Sequence, residues 1–268
     1  MPTGDKTSGR PLAPPKALLL DFGGVIVATR RIEGWEQRLA AEVRTLLGDV
    51  APQLTQQDIA ADIVAGCIAD SHWKDAMSRP LSPPELKHEQ FWGDFVAADW
   101  PDAARAIVVA GAAELCRRMG HLRSHRELRN GLIDLLDAAD VAGIAVGIVS
   151  NALSGQVHLD FLEANGMTGR FAVIVHSDEA GVRKPNPEMI RIATRALGIE
   201  PADAWYVGDN FDRDVLCGVR AGIGGNILME AKGTYDMPYA LKLKPDAIVA
   251  DPVGLLALFA EATRGIAA

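Results

Sequence analysis

The sequence predicts an α/β fold: a doubly wound parallel sheet, interrupted after its first strand by an inserted helical module. Three observations carry this expectation. Ala17 to Leu20 runs four apolar residues straight into Asp21, with Gly23 and Gly24 close behind. From Glu127 onward, short apolar runs alternate with amphipathic helical stretches, the pattern of a parallel sheet covered on both faces. Between these two regions, residues 30–126 show helical spacing and no strong strand candidate. The expected division is a loose, disordered tail over residues 1–15, a sheet core made of 16–29 and 127–268, and a helical insertion over 30–126.

The first strand, Ala17 to Leu20, reads as buried on both faces. An unpaired carboxylate is costly inside such a strand, so Asp21 belongs where the strand ends and the chain turns. Open α/β sheets bind ligands at that edge. Gly23 and Gly24 permit a tight turn and a close approach of backbone N–H groups to a ligand. In the insertion, Gly34 to Leu47 has Trp35, Leu39, Val43, Leu46 and Leu47 at helical spacing. Gln57 to Ala69, Glu85 to Ala97 and Asp102 to Met119 are the other helix candidates. Pro80, Pro83, Pro84 and Pro101 punctuate them.

In the second half, strands are expected at Ile144 to Val149, Phe171 to Val175, Ala204 to Val207, Gly225 to Met229 and Ala247 to Ala250. Helices are expected at Asn130 to Ala142, Leu153 to Asn165, Pro187 to Leu197, Asp212 to Ala221 and Pro252 to Ala262. Gly166, Gly198 and Gly222 follow three of these helices as stop signals.

With 268 residues the chain suffices for one large domain or two small ones. Its net charge of −8 argues against general nucleic-acid binding, which needs a basic face, but not against a small anionic substrate. Cys67, Cys116 and Cys217 are odd in number and far apart, which suggests free thiols in a reducing compartment. The N-terminal stretch lacks the apolar core of a signal peptide. No run approaches the ~18 apolar residues of a membrane span. The expectation is a cytoplasmic protein with no membrane and no nucleic-acid partner.

Three expected strands end in polar residues: Asp21, Ser150-Asn151 and Asp209. Arg183-Lys184 lies in the loop before the helix at Pro187. In a parallel sheet these ends share one edge. Each has a plainer explanation: turn aspartates, a helix-capping serine, a solvated lysine. Their convergence on one edge, in order, is what gives them weight.

These residues resemble the motifs of the haloacid dehalogenase-like hydrolase superfamily. The matching segments are DFGGV at Asp21 to Val25, IVSNA around Ser150-Asn151, GVRKPNPEMI at Gly181 to Ile190 and VGDNFDRDV at Val207 to Val215. The insertion is similar to the helical cap that one branch of the superfamily carries. The resemblance implies a Rossmann-like core and a Mg²⁺-dependent phosphatase acting on a small phosphorylated metabolite. Asp21 would be the nucleophile and Lys184 the fixed cation. Asp21, Asp209 and the Gly23 carbonyl would hold Mg²⁺. Asp214 would hold a metal-bound water or orient Lys184. Ser150, Asn151 and backbone N–H groups, that of Gly24 included, would bind phosphate oxygens.

One departure stands out. The superfamily's phosphatases usually carry a second aspartate two residues after the nucleophile, as general acid and base; here that position is Gly23. A haloacid dehalogenase, which needs no metal, also lacks that acid, but the Asp209 and Asp214 pair weighs against it. A phosphonoacetaldehyde hydrolase would need a cap lysine, for which Lys74 and Lys87 are available. A catalytically weak binding protein on the same fold is the rival from another class. His72, His88, Arg30 and Arg31 in or beside the cap are surface residues on the plain reading and substrate contacts on the sharper one. Neither the substrate nor the choice between monomer and homodimer is readable here.

Overall fold

The computed structural model describes residues 12–240 and 242–264. Most of the tail expected over residues 1–15 thus lies outside the described residues. The centre is a six-stranded parallel sheet: β1 (Ala17–Leu20), β4 (Ala145–Ser150), β5 (Val173–His176), β6 (Ala204–Gly208), β7 (Gly225–Met229) and β8 (Ala247–Val249). They lie in the order β5-β4-β1-β6-β7-β8. The first strand is therefore central, with β4 on one side and β6 on the other.

Alternation along the strands feeds two cores. Leu18, Leu20, Val146, Ile148, Trp205 and Val207 pack under helices α6 (Leu132–Val141), α7 (Gln156–Ala164) and α11 (Pro252–Thr263). Ala17, Leu19, Val149 and Tyr206 face the other way, toward α9 (Glu188–Ala196) and α10 (Leu216–Ala221). Both faces of β1 are covered, which is why its four residues are uniformly apolar and buried.

The insertion packs around a core of its own, built on Trp35, Leu39, Val43, Ile59, Ile63, Phe91, Trp92, Trp100 and Val108. Its main helices are α1 (Trp35–Leu47), α2 (Gln56–Met77), α4 (Asp102–Ala110) and α5 (Ala112–Arg123), with the single turn α3 (His88–Gln90) between α2 and α4. Thr55 and Asp58 form a capping box that starts α2, satisfying two N–H groups that the first turn leaves over. The helix runs on to Met77, eight residues past its expected end.

Three further differences are larger. The single helix over Asp102 to Met119 is two helices broken at Gly111, where a glycine costs about 1 kcal/mol against alanine in a helix. The helix expected from Glu85 begins only at His88 and continues as a wider π turn over Phe91–Val96. Glu85 itself is not helical because its N–H donates to the Gly181 carbonyl at 3.0 Å.

The third difference is an antiparallel ribbon of β2 (Val27–Arg31) and β3 (Ser124–Leu128), paired from Val27↔Leu128 to Arg31↔Ser124. It joins the insertion to the sheet core, and the junctions expected at Arg30 and Glu127 fall inside it. Its residues are mostly polar and largely exposed, so no hydrophobic alternation marks it. Arg31 and Arg123 lie over the fully buried Trp35 ring, 5.6 and 5.7 Å from its centroid. Among the described residues no helix is long and apolar enough to cross a membrane.

Candidate active site

The strand register decides what meets at the sheet edge. Leu20 pairs with Ile148 on one side and Val207 on the other. The Asp21 N–H then donates to the Val207 carbonyl at 2.8 Å, extending β1 by one residue. Asp21, Ser150 and Asp209 consequently emerge side by side at the carboxyl ends of neighbouring strands. They line a crevice of about 380 Å³ together with Gly23, Gly24, Asn151, Lys184 and Asp214. All the residues singled out in the sequence as catalytic, phosphate-binding or metal-binding are therefore brought together.

Lys184 is the centre of this group. Its Nζ lies 2.6 Å from Asp214 Oδ1 and 2.9 Å from Asp21 Oδ1. It also donates to the Tyr206 hydroxyl at 2.9 Å and to the Val149 carbonyl at 3.2 Å. Burial works against the ammonium, but the two carboxylates outweigh it and raise its pKa. Asp214 is held from three sides: by Lys184, by the Tyr206 hydroxyl at 2.7 Å and by the Asn210 N–H at 3.0 Å. Of the two roles open to Asp214, orienting Lys184 is the one these contacts serve.

Asp209 has a different environment. Among the described residues its carboxylate accepts no hydrogen bond. Burial, then the charges of Asp214 and Asp21, push its pKa up to about 8. Asp21 is also raised, by burial first; the Lys184 charge opposes this and Asp214 adds to it. One lysine does not balance three acids. Oxygens of Asp21, Asp209 and Asp214 lie within 4.8 Å of one another, an all-oxygen donor set suited to a hard divalent cation such as Mg²⁺.

Two glycines make this crowding possible. Gly24 has φ +74°, and a Cβ there would stand 2.1 Å from Asp209 Oδ2. A Cβ on Gly208 would stand 2.2 Å from the Asp214 Cβ. Gly23 is unlike both: a Cβ there meets nothing within 4 Å.

Two of these residues have partners within the protein. The Gly24 N–H, expected to bind phosphate, donates to the Val27 carbonyl at 2.9 Å and closes the turn instead. Gly24 serves by leaving room for Asp209. The Asn151 side chain is likewise committed: it donates to the Lys184 carbonyl at 3.1 Å and accepts from the Lys184 N–H at 2.8 Å. It clamps the lysine loop and keeps its second amide hydrogen and its backbone for a phosphate.

The crevice also contains residues that sequence reasoning passed over: Thr29, His158, Arg213, Lys232 and Asp236. His158 stacks on Phe22 at 3.9 Å and is kept neutral by burial and by the nearby His176. Its signal was faint, a lone histidine in the first turn of an otherwise ordinary helix, seven residues past Asn151. Tyr206 was missed because a tyrosine in a buried run reads as core. The cap candidates lie elsewhere. Lys74 pairs with Asp70 at 2.6 Å, His88 lies 3.6 Å from Asp178, and neither they nor His72, Lys87, Arg30 or Arg31 line the crevice.

Comparison with known proteins follows this geometry. The family model described as haloacid dehalogenase-like hydrolase matches residues 112–225, which include Ser150, Lys184, Asp209 and Asp214. A phosphoglycolate phosphatase of Xylella fastidiosa (strain Temecula1) is 35% identical over 183 residues, 67% of this chain and 77% of that one. The chain belongs to the haloacid dehalogenase-like hydrolases. Several other curated phosphatases match over about half their length or less; the pyrophosphatase PpaX of Oceanobacillus iheyensis is 32% identical over 118 residues, 44% of this chain and 53% of that one. Among solved structures, CbbY from Rhodobacter sphaeroides in complex with phosphate superposes with a TM-score of 0.58 at 18% identity, over 91% of this chain and 99% of that one. At that identity the likeness speaks for the fold alone.

Gly24→Ala should displace Asp209 and weaken Mg²⁺ binding at least about tenfold, besides straining a left-handed backbone by ~1 kcal/mol or more. Titration calorimetry with Mg²⁺ on the parent and the variant measures this; equal affinities would show that Asp209 does not depend on the turn.

Proposed function

We propose that this protein is a Mg²⁺-dependent phosphatase that hydrolyses a small phosphorylated metabolite through an aspartyl-phosphate. The observation that carries the reading is the buried Lys184, held between Asp21 and Asp214 beside the unpartnered carboxylate of Asp209. Asp21 attacks phosphorus and forms the aspartyl-phosphate as the ester P–O bond breaks and the leaving oxygen takes a proton from water; a second water then attacks the aspartyl-phosphate, releasing phosphate and restoring Asp21. Lys184 offers a fixed positive charge to the phosphate oxygens, and Asp214 and Tyr206 keep its ammonium in place. The Ser150 hydroxyl lines the crevice with Asp21 and would bind a phosphate oxygen. Asp21, Asp209 and the Gly23 carbonyl would hold Mg²⁺, which would supply the charge that lets an anionic nucleophile approach an anionic phosphate.

The helical insertion acts as the cap over this crevice, and the domain division 16–29 with 127–268 against 30–126 belongs to the same reading. A cytoplasmic location fits the three free thiols. The metal-free dehalogenase fits poorly with Asp209 and Asp214 gathered beside Asp21, an all-oxygen cluster suited to a divalent cation. An imine-forming phosphonate hydrolase fits poorly with Lys74 paired to Asp70.

Three outcomes test the reading. Excess chelator abolishes phosphate release and added Mg²⁺ restores it; undiminished release after chelation and dialysis sends the assignment toward a metal-free hydrolase. Asp21→Asn keeps the fold, checked by thermal melting, and lowers turnover by several orders of magnitude, since an amide cannot form the phosphoenzyme.

The third outcome follows from Gly23. General acid–base help is worth ~10²–10⁴-fold and is missing at that position, so aryl and acyl phosphates should outpace alkyl phosphates. Because a Cβ at Gly23 meets nothing within 4 Å, Gly23→Asp should raise alkyl phosphate turnover more than aryl. If the parent hydrolyses an aryl and an alkyl phosphate of similar size equally well, another group already supplies the proton.

A further inference from the structure

The insertion meets the sheet core at a second place, far from its ribbon. Between α2 and α3, residues 78–87 leave the helical bundle and lie along the loop that carries Lys184. Pro84 bridges antiparallel to Val182. The Glu85 N–H donates to the Gly181 carbonyl at 3.0 Å, and the Arg183 N–H to the Pro83 carbonyl at 3.3 Å. Arg220 grips both segments, donating to the Pro80 carbonyl at 2.6 Å and the Pro185 carbonyl at 3.3 Å.

The centre of this strap is the Glu85 carboxylate, whose side chain is only 4% exposed. Its Oε1 accepts from Arg183 Nη1 at 2.7 Å and from the Leu86 N–H at 2.8 Å. Its Oε2 accepts from the Ser177 hydroxyl. The Ser177 oxygen in turn accepts from the Ala152 N–H at 2.9 Å. Arg183 directly precedes Lys184, and Ala152 directly follows Ser150-Asn151. One carboxylate of the insertion is thus joined, through one side chain each, to both loops that furnish the phosphate side of the crevice. Trp73 of α2 covers the Arg183 guanidinium, 5.0 Å from its ring centroid.

We infer that Glu85 is a positioning residue for the active site: through Arg183 it fixes Lys184, and through Ser177 it fixes the Ser150-Asn151 loop. The inference rests on the phosphatase reading of the crevice. A lysine that must sit between two carboxylates tolerates little displacement, and an error of 1 Å in a reacting site costs up to about 10²-fold. A merely adhesive ion pair behaves differently. Breaking it on one side leaves a buried charge, whereas replacing both partners with apolar side chains of similar size is often neutral for stability.

The test uses the paired variant Glu85→Leu with Arg183→Met, and Glu85→Gln alone, assayed with Mg²⁺ on p-nitrophenyl phosphate. A positioning role predicts a paired variant that melts near the parent temperature yet loses about 10- to 100-fold in kcat, with KM changed far less. Parental kcat in a folded paired variant would overturn the inference. If the paired variant does not fold, Glu85→Gln decides: a kcat loss of about tenfold or more at an unchanged melting temperature supports positioning, and parental kcat refutes it. Amide hydrogen exchange at Ala152, Arg183, Lys184 and Asn186 separates this inference from the phosphatase reading. Faster exchange there in Glu85→Gln, with a parent that hydrolyses no phosphate ester, would sink the phosphatase reading and leave the strap's hold on both loops standing. Parental exchange would sink the strap's role whatever the parent hydrolyses.

Discussion

Everything at the sheet edge depends on keeping one ammonium ion, that of Lys184, buried between Asp21 and Asp214. A charge removed from water is tolerated only when it is paired and hydrogen-bonded on every side. The chain meets this demand from four separate segments. β1 delivers Asp21, β6 delivers Tyr206 from its far face, the turn after β6 returns Asp214, and Asn151 clamps the backbone of the lysine itself. The arrangement is therefore a property of the sheet register. A slip of β1 by one residue would exchange the faces of its side chains and carry Asp21 away from both neighbours.

Crowding three carboxylates around one lysine also needs space, and the backbone provides it by omission. At Gly24 and Gly208 the main chain passes so close to Asp209 and Asp214 that no side chain fits. Gly23, between them in function though not in space, is free of that constraint. A crevice with an open position beside its nucleophile and two closed ones flanking its other acids sorts its glycines by purpose: two are structural necessities and the third is a chemical choice.

Much of this was legible before any coordinates. Buried apolar runs ending in Asp21, Ser150 and Asp209 determine a parallel sheet and the edge at which those residues meet, because a strand covered on both faces leaves polar groups nowhere else to go. What escaped notice has physical reasons. The ribbon of Val27–Arg31 and Ser124–Leu128 is polar on its exposed faces and has no periodic signal. Tyr206 sits inside an apolar run and shows its hydroxyl only in three dimensions. The strap at Pro83 to Leu86 is held by partners about a hundred residues away, and its helical spacing was misleading because its N–H groups are spent outside a helix. Gly24 was read for its freedom and not for the hydrogen bond its N–H makes within the turn.

The strand order has a consequence for how the molecule comes into being. β1 is synthesised before the other strands of its sheet, yet its two neighbours are β4 and β6. Until residues 145–150 and 204–208 have been made, Ala17 to Leu20 is an apolar segment with no sheet to join. Contacts so distant along the chain are slow to form, and an unpaired apolar strand is open to aggregation meanwhile. The insertion shortens that wait in space: once its own core has closed and Val27–Arg31 has paired with Ser124–Leu128, the long excursion becomes a short loop. The next strand to emerge is then delivered beside the first. The polar ribbon at the foot of the helical module thus bears on the assembly of the sheet.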